Sequence, residues 1–479
     1  MRELMTHSAG LEETVKNLGF YDAARVPSMR QVLKEDLPKR IFPPGATVAY
    51  SNYGATLAGY IVQRLSGVSF ADYVDANIFR PLGMTHSTFE QQLPPRLQGN
   101  VSKGYLTALG GAQPYEMIAM SPAGGLASSA TDMAQFMMAH LQNGQLGEAR
   151  ILDSQTAELM HAHQRSEAQG INGFALGFYE ESRNGQRIIG HSGDTQFFHS
   201  DLHLLLDAGT GLYLSLNSRG SDDAAYKLRT ELFETFVDRY FPRGEPVESG
   251  NPKTTNDARG LTGAYISSER QDSNIFRVVT LLGETTISSD DKGSLTVSSL
   301  ADADGEPYHW TEIRPSTYRQ VNGASTLVFV HGRNGRVKYA AWSGDPTFVL
   351  QPAPMSENPW TLRLLIAASV LMLGAVVLWP IVYIVRKRHG VQSKLDEKAR
   401  VLRRMSGVAA VLWITAGYEL AHVDTTRADE HHPAFVRDHT GSDGLVPARR
   451  SCRHRIRRDL RKLAACLACT ANRLRPLHR

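Results

Sequence analysis

The chain has 479 residues, 42% of them hydrophobic, and a net charge of +4. That length exceeds one ordinary domain and can bury sizeable cores, while so small a net charge excludes a chain that binds nucleic acid along its whole length. The three cysteines, Cys452, Cys466 and Cys469, all lie near the C-terminus, which excludes a disulfide framework in the main body, and Cys466-Leu467-Ala468-Cys469 is a bare C-x-x-C with no second pair for zinc.

No positively charged segment followed by an apolar run opens the chain. Met1-Arg2-Glu3-Leu4 reads as helix, so the chain is expected to begin in mid-domain. The stretch around which the rest is organised runs from Phe42 to Gly54. Pro43, Pro44 and Gly45 fix a turn, and Thr47-Val48-Ala49 reads as a brief strand. From Tyr53 the apolar residues Leu57, Ile61 and Leu65 recur at helical spacing until Gly67 stops the helix. Tyr50 and Asn52 thus fall at a strand-to-helix junction, where both side chains can be aimed into a cleft. A Tyr with a depressed pKa takes a proton from a nucleophile, and an Asn amide holds a neighbouring Lys or a substrate carbonyl. Taken without its surroundings, Tyr50-Ser51-Asn52 reads as a packed Tyr and a turn Asn; the surroundings turn that reading towards a site.

Phe70 to Phe79 reads as a second amphipathic helix, closed by Pro81-Leu82-Gly83, and residues 91–119 are rich in loops. In Ser121-Pro122-Ala123-Gly124-Gly125 the two glycines allow a close backbone turn. Ser129 with Asp132 resembles a capping box. The helix behind them carries Met133, Phe136, Met137 and Leu141 on one face, a core stripe, and ends at Asn143-Gly144. His161 and His163, two apart on an expected helix, face different ways and make no metal pair. Residues 173–179 and 187–217 read as strands, with Gly190-His191-Ser192-Gly193-Asp194 between extended runs, and a helix from about Ala224 to Tyr240 closes the first unit, 1–243.

Residues 244–256 have the Gly, Pro, Glu, Ser and Asn content of a linker. Residues 257–352 read as a small all-β unit: runs such as Phe276 to Leu281, Leu295 to Ser299, Thr326 to His331 and Val337 to Trp342 alternate with turns such as Asn334-Gly335 and Ser343-Gly344-Asp345. The sequence of this unit shows no catalytic constellation. Leu364 to Val385 carries no charge, and its length as a helix, about 33 Å, matches a bilayer's hydrocarbon core. Trp360, Trp379 and Tyr383 sit near its ends. Arg386, Lys387 and Arg388 open a basic flank within 386–424, expected to be cytoplasmic, which places the preceding domains outside the cytoplasm. A second apolar run, Gly407 to Tyr418, is too short to span. The Arg-rich tail 425–479 has no hydrophobic period and is expected to be disordered. It reads either as a basic arm for anionic lipid or nucleic acid or, the reading preferred, as a shifted-frame continuation after a truncated membrane helix.

Phe42 to Leu65, together with Arg80-Pro81-Leu82-Gly83-Met84, Thr6-His7-Ser8-Ala9-Gly10-Leu11 and the Gly124-Gly125 turn, resembles the serine β-lactamase-related family. That family takes in class C β-lactamases, penicillin-binding DD-peptidases, D-aminopeptidases and related esterases; the resemblance covers roughly residues 1–240. It implies an α+β fold (an α/β sandwich), with a central antiparallel sheet flanked by helices, to which the sequence adds the small all-β domain and the C-terminal transmembrane helix. It implies catalytic roles for Tyr50, Asn52 and His191, and substrate or oxyanion roles for Ser192, Gly193 and Asp194, the last through its backbone N–H. His191 in place of the Lys of a Lys-Thr-Gly motif is similar to D-aminopeptidases and esterases more than to penicillinases.

In the resembled family the acyl-enzyme forms on the Ser of a Ser-x-x-Lys helix start. The sole match here, Ser289-Asp290-Asp291-Lys292, follows the Tyr motif instead of preceding it and reads as an exposed turn. The family's motif is expected to fall before Met1. The implied function is a membrane-anchored serine hydrolase of D-amino-acid peptides, β-lactams or esters, inactive in this chain for want of the nucleophile. The alternative is a non-catalytic, membrane-anchored binding or sensing protein. Expected partners are a small-molecule or peptide substrate and membrane lipid, in a periplasmic setting, with no cofactor, metal or nucleic acid.

Overall fold

The computed structural model describes residues 1–242 apart from 15–17 and 108, residues 258–354 apart from 275–276, 278–284, 292 and 303–304, and part of 367–406. Helix α1, Met29–Glu35, buries Val32 and Leu33. Helix α2, Asn52–Ser66, starts where the Ser51 hydroxyl accepts the Gly54 N–H at 3.2 Å and stops at Gly67, whose φ of 77° suits glycine. The two helices are tied by the Tyr53 hydroxyl, which donates to the Leu33 carbonyl at 2.8 Å. The brief strand expected at Thr47–Ala49 is instead extended backbone outside any sheet. Its N–H groups serve distant segments: Val48 donates to the Glu167 carboxylate at 3.1 Å and Ala49 to the His7 carbonyl at 2.9 Å, and the next N–H, that of Tyr50, goes to the Thr347 carbonyl at 3.2 Å.

The helix expected at Phe70–Phe79 carries a widened π turn at Asp75–Phe79 between α-helical Phe70–Val74 and Arg80–Leu82. Pro81 has no N–H to return to the preceding turn, so the regular ladder cannot run through this point. Helix α3, Ala130–Leu141, is capped by Ser129, which accepts the Asp132 N–H at 3.2 Å. The Asp132 carboxylate does not return to the cap; it accepts the His86 N–H and the Ser87 hydroxyl, both at 2.7 Å. Helix α4, Ser154–His161, ends at His161, so His163 lies beyond it and the two histidines do not share a helix as expected. His161 pairs instead with His140 of α3, ring nitrogens 3.0 Å apart.

The main sheet is antiparallel, in the order β1 (Tyr179–Glu180), β2 (Ile188–Asp194), β3 (His199–Leu205), β4 (Thr210–Leu216). Helix α3 covers one face, where Met133 and Met137 pack with Ile189, Leu202 and Leu204. Helix α5, Ala224–Tyr240, covers the other, where Phe233 and Val237 pack with Ile188 and Leu205. Covering both faces explains why Ile188 and Ile189, neighbours in sequence, are both buried. Each such side chain contributes about 1.5–3 kcal/mol through the water it sheds. β1 is short and pairs only as far as Gly190, so among the described strands none flanks His191–Asp194 on that side, and this edge is open. Gly190 is required at the crossing: a Cβ there would lie 2.4 Å from the Leu202 carbonyl oxygen.

Residues 263–352 form a closed antiparallel barrel of eight strands: β5 (Gly263–Ser267), β6 (Thr285–Ser289), β7 (Leu295–Ala301), β8 (Pro307–Arg314), β9 (Thr317–Gln320), β10 (Thr326–His331), β11 (Val337–Trp342) and β12 (Leu350–Pro352). β12 returns to pair with β5. Trp310, Tyr318, Leu295 and Leu327 fill the interior. Ser289 ends β6 in this barrel, away from any helix start. The barrel is stitched to the first 242 residues by specific bonds. Ser268 donates to the Val48 carbonyl at 2.6 Å, Glu13 N–H to the Arg270 carbonyl at 3.1 Å, and Asp272 N–H to the Glu12 carboxylate at 2.7 Å.

The linker 244–256, the second apolar run and the tail 425–479 lie outside the described residues. The apolar stretch 364–385 is described at part of its positions, where Val370, Leu371, Leu378, Ile384 and Val385 are exposed. Among the described residues, no helix is long and apolar enough to cross a membrane.

Candidate active site

Tyr50, Asn52, His191, Ser192, Gly193 and Asp194 all line one cleft of about 1600 Å³. The Tyr and Asn reach it from the start of α2, and the other four from the open edge of β2. The cleft's third wall comes from the barrel, whose segment Trp342–Thr347 and Glu269 also line it.

Tyr50 lies between two histidines. The His7 ring stacks on it at 4.0 Å, and the His191 ring is tilted at 6.2 Å. His7 accepts the Ser51 N–H on Nδ1 at 3.1 Å, which leaves its proton on Nε2. Burial, aided by the charge of His191, brings the His7 pKa down to about 3, so it stays neutral. The His191 Nδ1 lies 2.5 Å from the Ser192 carbonyl oxygen and so donates to it. That tautomer leaves Nε2 as an acceptor, and burial lowers the pKa of the ring against the pull of Asp201 and Asp194. The Tyr179 hydroxyl donates to Ser192 Oγ at 2.7 Å and also receives the Ser192 N–H, fixing this part of β2 from below.

The depressed pKa expected of Tyr50 is corrected: its pKa is raised. Burial is the main cause, and the carboxyls of Glu13, Glu269, Asp194 and Asp345 add to it. A phenolate needs a cation beside it, and no Lys lines the cleft among the described residues. Asn52 likewise holds a carboxyl here and not a Lys. Its N–H and its amide donate to the two Glu13 oxygens at 2.9 and 3.2 Å. Glu13 is buried, and desolvation raises its pKa to about 7 although bonds from Asn52 and Thr14 oppose the shift.

At the far end of β2, Asp194 is clamped by its side chain. Arg229 of α5 donates to both of its oxygens at 3.0 and 2.8 Å and to the Ser200 carbonyl at 3.0 Å. His199 Nδ1 lies 2.7 Å from the same carboxylate. These partners lower the Asp194 pKa in spite of the desolvation that opposes them. Beneath β2, His203 bridges Glu181 at 2.6 Å and approaches Asp201 at 3.5 Å.

Among the participants that escaped sequence reasoning are Glu13, Arg229, Glu269 and Asp345. Glu13 lies two residues past the Thr6–Leu11 segment, a local signal; the other three come into place only by tertiary packing. The arrangement sets an open strand edge beside a neutral phenol and a neutral imidazole. It offers hydrogen-bond donors and acceptors, and among the described residues no Lys that could pair with a nucleophile.

Residues 1–235 match the family model described as Beta-lactamase. A putative D-alanyl-D-alanine carboxypeptidase of Escherichia coli (strain K12) is 27% identical over 158 residues, covering 29% of this chain and 36% of that protein. The chain thus spans about a third of the length of the curated relatives it matches. Among solved structures, SurE aligns with a TM-score of 0.48 at 23% identity, covering 74% of this chain and 78% of SurE. A D-amino acid amidase from Ochrobactrum anthropi SV3 aligns with a TM-score of 0.41 at 20% identity, over 50% of this chain and 71% of that one.

Proposed function

We infer, from the β-lactamase-family domain that residues 1–235 form, that this chain supplies the substrate-holding part of a serine acyl-transfer site. The substrate class is D-amino-acid peptides, β-lactams or esters. The observation that carries the reading is the convergence of Tyr50, Asn52 and the His191–Asp194 edge on one cleft that no Lys lines among the described residues. In this reading a substrate lies along the open edge of β2, and the backbone N–H of Asp194 faces the carbonyl oxygen under attack. The His191 Nε2 and the Tyr50 hydroxyl handle protons. Among the described residues, no Lys lines the cleft to pair with a Ser as the acylation step requires. Without a nucleophile, a covalent mechanism loses orders of magnitude in rate, and binding remains. The 479-residue polypeptide therefore binds and does not turn over. The exposed apolar side chains described within 364–385 support the further proposal that it does so anchored in a membrane, with the domains before the anchor on the extracytoplasmic side.

The test is turnover of nitrocefin and of a D-alanyl-D-alanine peptide by the purified polypeptide, together with labelling by a fluorescent penicillin. No turnover and no covalent adduct are expected. Turnover that Tyr50→Phe abolishes would replace this reading with that of a complete hydrolase.

A further inference from the structure

Beneath the open edge of β2 lies a group of side chains that the acyl-transfer reading does not use: Glu181, Asp201 and His203. One side-chain nitrogen or oxygen from each lies within 4.8 Å of the others. The sheet builds this group. Asp201 and His203 are alternate residues of β3, so they share a face, and they pair across the ladder with Ser192 and Gly190 of β2. Glu181 follows β1 and passes over Gly190 to reach His203; a Cβ at Gly190 would lie 2.1 Å from Glu181 Oε2. The Phe233 ring of α5 stacks on the imidazole at 3.8 Å and fixes its plane. His203 Nδ1 lies 2.6 Å from Glu181 Oε2 and donates to it. In the neutral ring that proton leaves Nε2 as a lone pair, which faces Asp201 Oδ2 at 3.5 Å. Neither His203 Nε2 nor Asp201 Oδ1 has a hydrogen-bond partner among the described residues, although the two residues are 1% and 7% exposed. Two buried acceptors cannot satisfy each other, whereas a positive centre between them satisfies both. Arg229 is engaged elsewhere: its terminal nitrogens serve Asp194 and the Ser200 carbonyl, and its Nε stays 3.8 Å from Asp201 Oδ2, beyond hydrogen-bond reach.

We propose that Glu181, Asp201 and His203 form a binding site for a divalent transition-metal cation, for which zinc is the probe. His203 Nε2 and the Asp201 carboxylate are its ligands. Glu181 holds the ring through Nδ1, the carboxylate–histidine arrangement that orients a metal-bound imidazole. The 3.5 Å between Nε2 and Asp201 Oδ2 is close to the roughly 3.4 Å that separates two ligands of a tetrahedral zinc with bonds of about 2.1 Å. Two carboxylates and a neutral ring balance a dipositive charge, and imidazole nitrogen beside carboxylate oxygen favours zinc over magnesium or calcium. Glu181 and Asp201 also line the cleft, which gives the ion a way in and leaves room for water to complete its shell. In the metal-free chain a proton on Nε2 takes the cation's place. The bound ion ties β3 to the residue that follows β1, across β2 and below His191–Asp194. The site needs neither nucleophile nor acyl group, so it stands apart from the substrate reading.

The experiment is zinc titration of the full 479-residue chain in detergent, stripped beforehand with EDTA, in competition with a chromophoric chelator. Amide exchange of residues 188–205 is read by mass spectrometry with and without zinc. Every protein carries Cys466→Ser and Cys469→Ser, which remove the thiol pair of the tail as a competing site. The chain is expected to bind a zinc that Asp201→Asn removes. Exchange of 188–205 is expected to slow about tenfold or more at zinc well above Kd, and not to slow in Asp201→Asn. Glu181→Gln keeps an acceptor for the Nδ1–H and loses the charge, so it is expected to weaken zinc binding about tenfold or more. Absence of zinc binding, or undiminished affinity in Asp201→Asn, overturns the proposal. Should Asp201→Asn lack protection of 188–205 even without zinc, Glu181→Gln decides: weakened binding supports the site and unchanged affinity overturns it.

Discussion

Glu13→Gln tests whether the carboxyl beneath Asn52 is held against its ordinary ionisation. Desolvation raises its pKa from 4.5 to about 7, and the residue is 7% exposed, so solvent screening discounts little. The difference of about 2.5 units, at ~1.4 kcal/mol each, corresponds to about 3 kcal/mol between the two protonation states. The sign follows from proton counting. The native state keeps a proton that the unfolded chain releases, so Glu13's contribution is fully present below about pH 4.5 and is lost as pH rises through about 7. Gln cannot ionise, and it also gives up one acceptor oxygen towards the Asn52 N–H groups, a loss of about 1–3 kcal/mol that does not vary with pH. The variant is therefore expected to be the less stable protein at about pH 5 and to gain on the wild type by about 3 kcal/mol by about pH 8. None of the five tryptophans lies in residues 1–242, so tryptophan fluorescence does not report this unit from within. Amide hydrogen exchange of α2 read by mass spectrometry, corrected for intrinsic rates, reports it in the full chain. A gap between variant and wild type that stays constant from about pH 5 to about pH 8 would refute the reasoning.

Two further outcomes follow from the network beneath the strand edge. Arg229→Ala leaves the Asp194 carboxylate without its fork of donors and is expected to cost about 3–5 kcal/mol; Arg229→Lys recovers only part of this, because an ammonium cannot span both oxygens and Ser200. Exchange protection of residues 188–205 is the readout, and unchanged protection in the Ala variant would dismiss the clamp. Burial works against a charge on His203, but Glu181 and Asp201 outweigh it and raise its pKa to about 10. Its contribution to stability is fully present below about pH 6.5 and is lost as pH rises through about 10. His203→Gln should flatten the alkaline limb of the thermal unfolding profile, and an unaltered limb would show that the imidazolium is not formed.

Much of the first unit was legible because its signals are local. Ser51 and Ser129 announce helix starts through hydroxyls that bond one turn ahead, and Gly67 announces a stop through its positive φ. The co-location of Tyr50 with His191, far apart in sequence, came through the resemblance and not through any spacing. What was illegible depends on partners brought from elsewhere. The Tyr50 pKa moved up, contrary to expectation, chiefly because the ring is buried and also because the charges around it are the carboxyls of Glu13, Glu269, Asp194 and Asp345, two of which arrive with the barrel. The π turn at Asp75–Phe79 was hidden because apolar periodicity does not register one widened turn. Thr47–Ala49 has the composition of a strand, but the N–H groups of Val48 and Ala49 are claimed by Glu167 and His7 and not by a neighbouring strand.

The pairing of β12 with β5 brings the two ends of the barrel together at one seam, beside Ser268 and Arg270, which hold the barrel to Val48 and Glu13. A module whose entry and exit coincide can be exchanged in evolution or by engineering without rerouting the chain around it. Because that module also carries Asp345 and Glu269, such a replacement would recast the charge of the ligand chamber while sparing Tyr50, Asn52 and His191. The barrel is in this sense an interchangeable faceplate, and diversity among related chains should gather in its 342–347 turn.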